Sequence, residues 1–188
     1  MYKARILLAA SVAAAALSGT PALAERGTDG ELKIIFWQAI STMNPYLSGG
    51  TKEVYGASMV IEPLARYDES GNLVPMLASE IPTVENDGVS ADLKSITWKL
   101  KPDLKWSDGT PVTADDAIFT WKYCTAPDGG CAQAAYYEGV SNVEAVDAST
   151  IKVSFSEPKP YPYSAFVGAQ SPIIQAAQFK DCLGAKAP

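Results

Sequence analysis

Residues 96–124, ITWKLKPDLKWSDGTPVTADDAIFTWKYC, constrain the fold more than any other part of the chain. Ile96, Trp98 and Leu100 alternate with Thr97, Lys99 and Lys101, the period-two pattern of a half-buried strand. Pro102 ends that pattern. Ser107-Asp108-Gly109 then supplies turn chemistry, with Gly109 free to take positive φ. Thr113-Ala114-Asp115-Asp116 reads as a helix start, Thr113 capping and the acids facing the positive helix end. Ala117, Phe119, Trp121 and Cys124 roughly supply an apolar face. Trp98, Trp106, Phe119 and Trp121 are expected to pack in a core or hairpin rather than touch a ligand, and Asp108 to serve the turn.

The N-terminus has the form of an export signal. Lys3 and Arg5 make a positive n-region, residues 6–17 an apolar h-region, and Ala22-Leu23-Ala24 a small-residue cleavage site. The apolar run falls short of the about 20 residues a helix needs to cross a bilayer. Cleavage after Ala24 is expected, giving a periplasmic chain that starts at Glu25, and no Cys follows the cleavage point to carry a lipid.

The charge balance narrows the partners. The 188-residue chain carries 15 basic and 21 acidic residues, and the acidic excess grows once Lys3 and Arg5 leave. Nucleic acid and anionic membrane surfaces both reward clustered Lys and Arg, so neither is expected as a partner.

Three cysteines in an exported chain raise the question of a disulfide. Cys124 and Cys131 flank Thr-Ala-Pro-Asp-Gly-Gly, a flexible loop that lets the sulfurs meet just past a helix end. A bridge there contributes about 2–3 kcal/mol on the chain-entropy model. Two free buried thiols are the alternative. With no His in the chain, two thiols do not complete a zinc site. Six intervening residues rather than two argue against redox catalysis. Cys182 is left without a partner in this pairing.

Elsewhere, residues 31–37 (ELKIIFW) read as a strongly apolar strand buried on both faces. Residues 38–50 read as a loop and 51–62 as a helix. Residues 64–67 and 73–77 flank a hairpin turn at 68–72. Residues 78–84 read as extended, 85–93 as a polar surface loop, 143–146 and 151–155 as strands, and 172–179 as a helix.

The WSDGTPVTADD run in its strand–turn–helix setting resembles the family 5 extracellular solute-binding proteins, the peptide- and nickel-type receptors of ABC importers. IEPLARYDESGNLVPMLASEIP before it and TIKVSFSEPKPYPYSAF after it are similar to the flanking family segments. The resemblance implies an α/β fold of the type II periplasmic-binding-protein kind, here incomplete. Residues 25–61 and 158–188 would be part of lobe I, and 62–157 an inserted mixed α+β subdomain. Family members are much longer, so the chain is expected to be an N-terminal piece. The implied function is to bind a peptide or related small solute without catalysis, to deliver it to membrane permease subunits, and to act as a monomer at full length, with no cofactor. By position along the family's cleft wall, Trp37, Gln38, Asn44, Tyr46, Phe166, Gly168 and Gln170 are the expected ligand-binding residues. Gln38 and Gln170 lead, because a buried amide needs partners that a ligand can supply.

Two other classes compete. An exported hydrolase could use the pair Asp115-Asp116, but capping explains those acids, neighbours on a helix point to different faces, and neither His nor a G-x-S-x-G motif is present. A Ser-Lys arrangement stays open. A non-binding fragment or interaction module is the third reading. Turnover of esters and peptides separates enzyme from receptor, and a ligand-induced thermal shift separates receptor from inert fragment.

Overall fold

The computed structural model describes residues 30, 33–127 and 129–182, so the expected export signal lies outside the described residues. Contacts divide the chain into a unit of Met1–Ile35, described only at 30 and 33–35, and a unit of Phe36–Pro188. In chain order the elements are α1 (Thr51–Ala57), β1 (Ala65–Tyr67), β2 (Leu73–Pro75), β3 (Ser95–Lys99), α2 (Ala114–Thr125), a 3-10 turn (Ala134–Tyr137), β4 (Val140–Asp147), β5 (Thr150–Phe155) and α3 (Ala176–Phe179).

Alternation builds the main sheet. Ile151, Val153 and Phe155 of β5 all point into the core, and β5 pairs antiparallel with β3 so that Ile96 faces Val153 and Trp98 faces Ile151. β4 covers the other edge of β5 and gives the order β3-β5-β4. Asp147 closes the β4–β5 turn by accepting the Ser149 N–H at 2.7 Å and the Thr150 hydroxyl at 2.9 Å. Each fully buried Ile or Val of this sheet stabilises the fold by about 1.5–3 kcal/mol.

α2 forms where its cap residues require it. Asp116, at the third helical position, reaches back to accept the Thr113 backbone N–H at 2.9 Å, completing a capping box. The buried face runs through Ala114, Asp116, Ala117, Thr120, Tyr123 and Cys124. Phe119 and Trp121 are only partly buried, so the face is rotated from the expected one. Small side chains at 114, 117 and 120 let the helix backbone approach its neighbours, and the large rings cover the flanks. Gly109 takes φ +86° in the turn before the helix, as the sequence requires. Cys124 and Cys131 form a disulfide across the loop that follows, with Cα atoms 5.0 Å apart. Cys182 is free.

A second layer is a three-segment ladder. β1 pairs antiparallel with β2, and the same segment bonds on its far side to residues after the main sheet: Leu64 N–H to Phe166 O at 2.8 Å and Gly168 N–H to Ala65 O at 2.9 Å.

Several elements differ from the sequence reading. No strand forms among described residues 33–37; Ile35 is 98% exposed and Trp37 65%. Apolar, β-branched composition favours a strand only where a neighbour completes its ladder. α1 ends at Ala57 instead of continuing to 62. The N–H groups of Met59 and Val60 bond three residues back, tightening the last turn, and Pro63 disfavours helical backbone at Glu62. α3 is a single turn because residues 173 and 174 spend their N–H groups on tertiary acceptors, Glu62 O and the Thr120 hydroxyl. Residues 78–84 form no strand beyond one bridge between Ala78 and Leu100, and β4 runs longer than 143–146.

Candidate functional site

Two walls border a half-open hollow of about 440 Å³. Residues 42–44 and Leu47 form the first wall, the turn residues Trp106 and Ser107 with residues 174–179 the second, and Val60 and Ile61 part of the rest. The volume falls in the range of small-ligand sites. Its apolar lining comes from Met43, Leu47, Val60, Ile61, Trp106, Ile174 and Phe179, and its polar groups from Thr42, Asn44, Ser107, Gln175 and Gln178. Among the described residues, no charged side chain lines it.

The first wall is anchored from below. Asn44 is 9% exposed: its Oδ1 accepts the Tyr46 N–H at 3.0 Å, and its Nδ2 donates to the Tyr123 hydroxyl at 3.2 Å. Tyr46 is fully buried, its hydroxyl donating to Pro172 O and meeting the Tyr137 hydroxyl at 3.0 Å. Ser171 extends that chain, donating to Tyr137 at 3.1 Å and accepting the Phe166 N–H at 2.9 Å. Burial pushes the Tyr137 phenol up to about 12, and burial, then Tyr137, raises Tyr46 well above its usual value. The loop after the disulfide completes the anchor. Ala132 N–H bonds Tyr46 O at 2.9 Å, and Gln133 Nε2 donates to Pro45 O at 3.2 Å and Ser48 O at 3.4 Å.

The second wall is held by the turn and helix of the most constraining segment. Gln175 Nε2 donates to Asp108 Oδ2 at 2.7 Å and to the Thr110 hydroxyl at 3.1 Å. Asp116 Oδ1 accepts the Ala176 N–H at 2.8 Å, while its Oδ2 accepts Trp106 Nε1 at 3.2 Å. Thr110, through its hydroxyl and its backbone, and then Gln175 hold the exposed Asp108 carboxyl below the usual range.

A second hollow of about 350 Å³ lies beside the β1–β2 layer, lined among others by Tyr55, Arg66, Tyr67, Gly168 and Gln170. The seven expected ligand-binding residues therefore do not converge. Asn44 lines the first hollow, and Gly168 and Gln170 line the second. Tyr46 and Phe166 are wholly buried and line neither. Trp37 and Gln38 are exposed on the surface and line neither. Residues 42, 43, 107, 175 and 178 were passed over as site candidates. The recoverable signal was the pair of amides, Gln175 and Gln178, in a segment otherwise read as an apolar helix.

Residues 72–186 match the model of the bacterial extracellular solute-binding proteins, family 5 Middle. Among curated proteins the chain is similar to the periplasmic oligopeptide-binding protein OppA of Escherichia coli (strain K12), 30% identical over 198 aligned positions that cover 92% of this chain and 35% of that protein. It is also similar to the periplasmic murein peptide-binding protein MppA of the same organism, at 29% identity over 64% of this chain and 25% of that protein. The chain thus spans about a third or less of these relatives' length. Among solved structures, Haemophilus influenzae OppA in complex with RPPGFSPFR superposes with a TM-score of 0.67 at 27% identity, covering 76% of this chain and 30% of that one. The fold is accordingly part of the type II periplasmic-binding-protein architecture. The chain belongs to the bacterial extracellular solute-binding proteins of family 5.

Proposed function

We propose that the chain belongs to the solute-binding component of an ABC importer, taking peptides or related small solutes without catalysis. The family match over 72–186 carries this reading, supported by relatives whose names specify oligopeptide and murein peptide binding. An apolar hollow rimmed by hydroxyls and amides suits the uncharged middle of a peptide, whose backbone offers both donors and acceptors. Export to the periplasm through residues 1–24, handover to permease subunits and a monomeric state at full length belong to the same proposal. The sites for a solute are the first hollow at Asn44 and the second at Gly168 and Gln170, with Trp37 and Gln38 available on the surface. Tyr46 and Phe166 act from the core by holding those surfaces. Residues 25–61 with 158–188, and 62–157, are proposed as partial lobe I and inserted subdomain.

Titrating this chain with tri-alanine and its N-acetylated amide, followed by amide chemical shifts, should give saturable millimolar binding with shifts at residues 42–44 and 174–179. Neither compound should be hydrolysed. Turnover, or no shift at any residue, would refute the proposal.

A further inference from the structure

We infer that the turn at 107–110 and residues 116–120 of α2 are the positioning device for the second wall of the first hollow, with Asp108, Thr110, Asp116 and Thr120 as its working residues. Four bonds converge on three consecutive residues. Ile174 N–H donates to the Thr120 hydroxyl at 3.0 Å, Gln175 Nε2 to Asp108 at 2.7 Å and to Thr110 at 3.1 Å, and Ala176 N–H to Asp116 at 2.8 Å. The turn is already closed without Gln175, since Asp108 Oδ1 accepts the Thr110 N–H at 2.9 Å and its hydroxyl at 2.6 Å. α2 is already capped without Ala176, through Thr113.

The four bonds do a different job. Residues 174–179 contain only a single turn of helix, too short to hold itself, since isolated helices of that length are not stable. Its placement comes from side chains of the preceding segment. Asp116 is the centre of the device. One carboxylate, 6% exposed, joins the helix cap, the Trp106 indole and the start of α3. Trp106 and Gln175 line the hollow, so the same residues that shape the turn set the distance between its ring and the Gln175 amide. The inference rests on reading the hollow as a binding surface, but its geometric half stands apart from any ligand.

The Asp108–Gln175 contact allows a charge-compensation test. Gln175→Glu places a second carboxylate against Asp108 and should release the side chain. Asp108→Asn added to it restores a donor facing an acceptor, and should re-form the contact. Hydrogen exchange at residues 174–179 should quicken about tenfold in the single variant, the loss of one charge-assisted bond, and return in the double variant, with α2 and the β3–β5 pair unaffected. Tri-alanine affinity should fall and recover in parallel, while thermal stability changes little. Exchange that is unchanged, or is not restored by the second substitution, overturns the inference. So does exchange that responds while affinity stays constant. If the unsubstituted chain binds no tri-alanine, the receptor reading falls, and the exchange measurements alone decide whether the device exists.

Discussion

Removing the Cys124–Cys131 bridge should weaken the protein in a specific place as well as in total. The two cysteines are seven positions apart. On the chain-entropy model, a loop of that size restricts the unfolded chain by about 2.4 kcal/mol at room temperature. For a domain of this size that corresponds to a fall in melting temperature of about 5–10 °C. The local effect follows from the residues just after the bridge, whose path Cys131 fixes. Ala132 and Gln133 supply three hydrogen bonds to the carbonyls of Tyr46, Pro45 and Ser48, which underlie the first wall of the hollow. A Cys124→Ser/Cys131→Ser variant, with Cys182 kept, should lose stability in urea titration by about that amount. It should also exchange amide protons faster at 44–48 than in β3–β5. Reductant should lower the wild-type melting temperature and leave the variant unchanged. Equal melting of wild type with and without reductant, or alkylation of all three thiols in the untreated protein, would show that the bridge does not exist or does not act this way.

Alkaline pH should also unfold the chain. Tyr137 keeps its proton up to about 12 in the fold, whereas an unfolded tyrosine loses it near about 10. The stabilisation is complete below the unfolded value and is lost as pH rises through the folded one, at about 1.4 kcal/mol per pH unit. Phenolate absorbance and circular dichroism should change together in that window; a Tyr137→Phe variant that keeps the full slope would point elsewhere. Ile151→Ala, at 0% exposure in the central strand, should cost about 3 kcal/mol, against under about 0.5 for Val146→Ala at 60% exposure, and equal losses in urea titration would contradict the packing described. Expression in a bacterium should yield a periplasmic product beginning at Glu25, and N-terminal sequencing that finds Met1 on a cytosolic product would reject the export reading.

The parts legible in the sequence were those fixed by local chemistry. Alternation at Ile96 and Trp98, the Asp108-Gly109 turn and the Thr113–Asp116 cap each need only neighbours a few residues away. Each lies where expected. The disulfide was legible because its loop is short and rich in glycine. What failed depends on distant partners. Residues 31–37 have strand composition, but strand formation requires a ladder neighbour that composition does not supply. The helix expected at 172–179 shrinks because Glu62 and Thr120 take its first N–H groups. The site was harder still. Tyr46 was expected on the cleft wall from its position after the first apolar segment, and only its contacts show that its phenol completes a buried chain with Tyr137 and Ser171. Gln175 looked like a helix residue, and only its contact with Asp108 shows what it does.

The strand order β3-β5-β4 also sets a timetable for the growing chain. β4 and β5 are adjacent in sequence and can zip as soon as Asp147-Ala148-Ser149 turns, closing a loop of minimal entropy cost. β3 emerges first, from an export channel as from the ribosome, yet must wait for β5, its only strand partner among the described residues, with all of α2 still to follow in between. Throughout that interval the edge of β3 that β5 will cover stays unpaired, a condition that invites association, while its opposite edge is already met by residues 88–90 through the Val89–Ile96 bridge and the Thr97 N–H to Gly88 O bond at 2.7 Å. The segment that defines the family in its finished form is thus its most vulnerable stretch while unfinished. Lys94, Lys99 and Lys101 around it supply the charge that discourages edge pairing in the meantime.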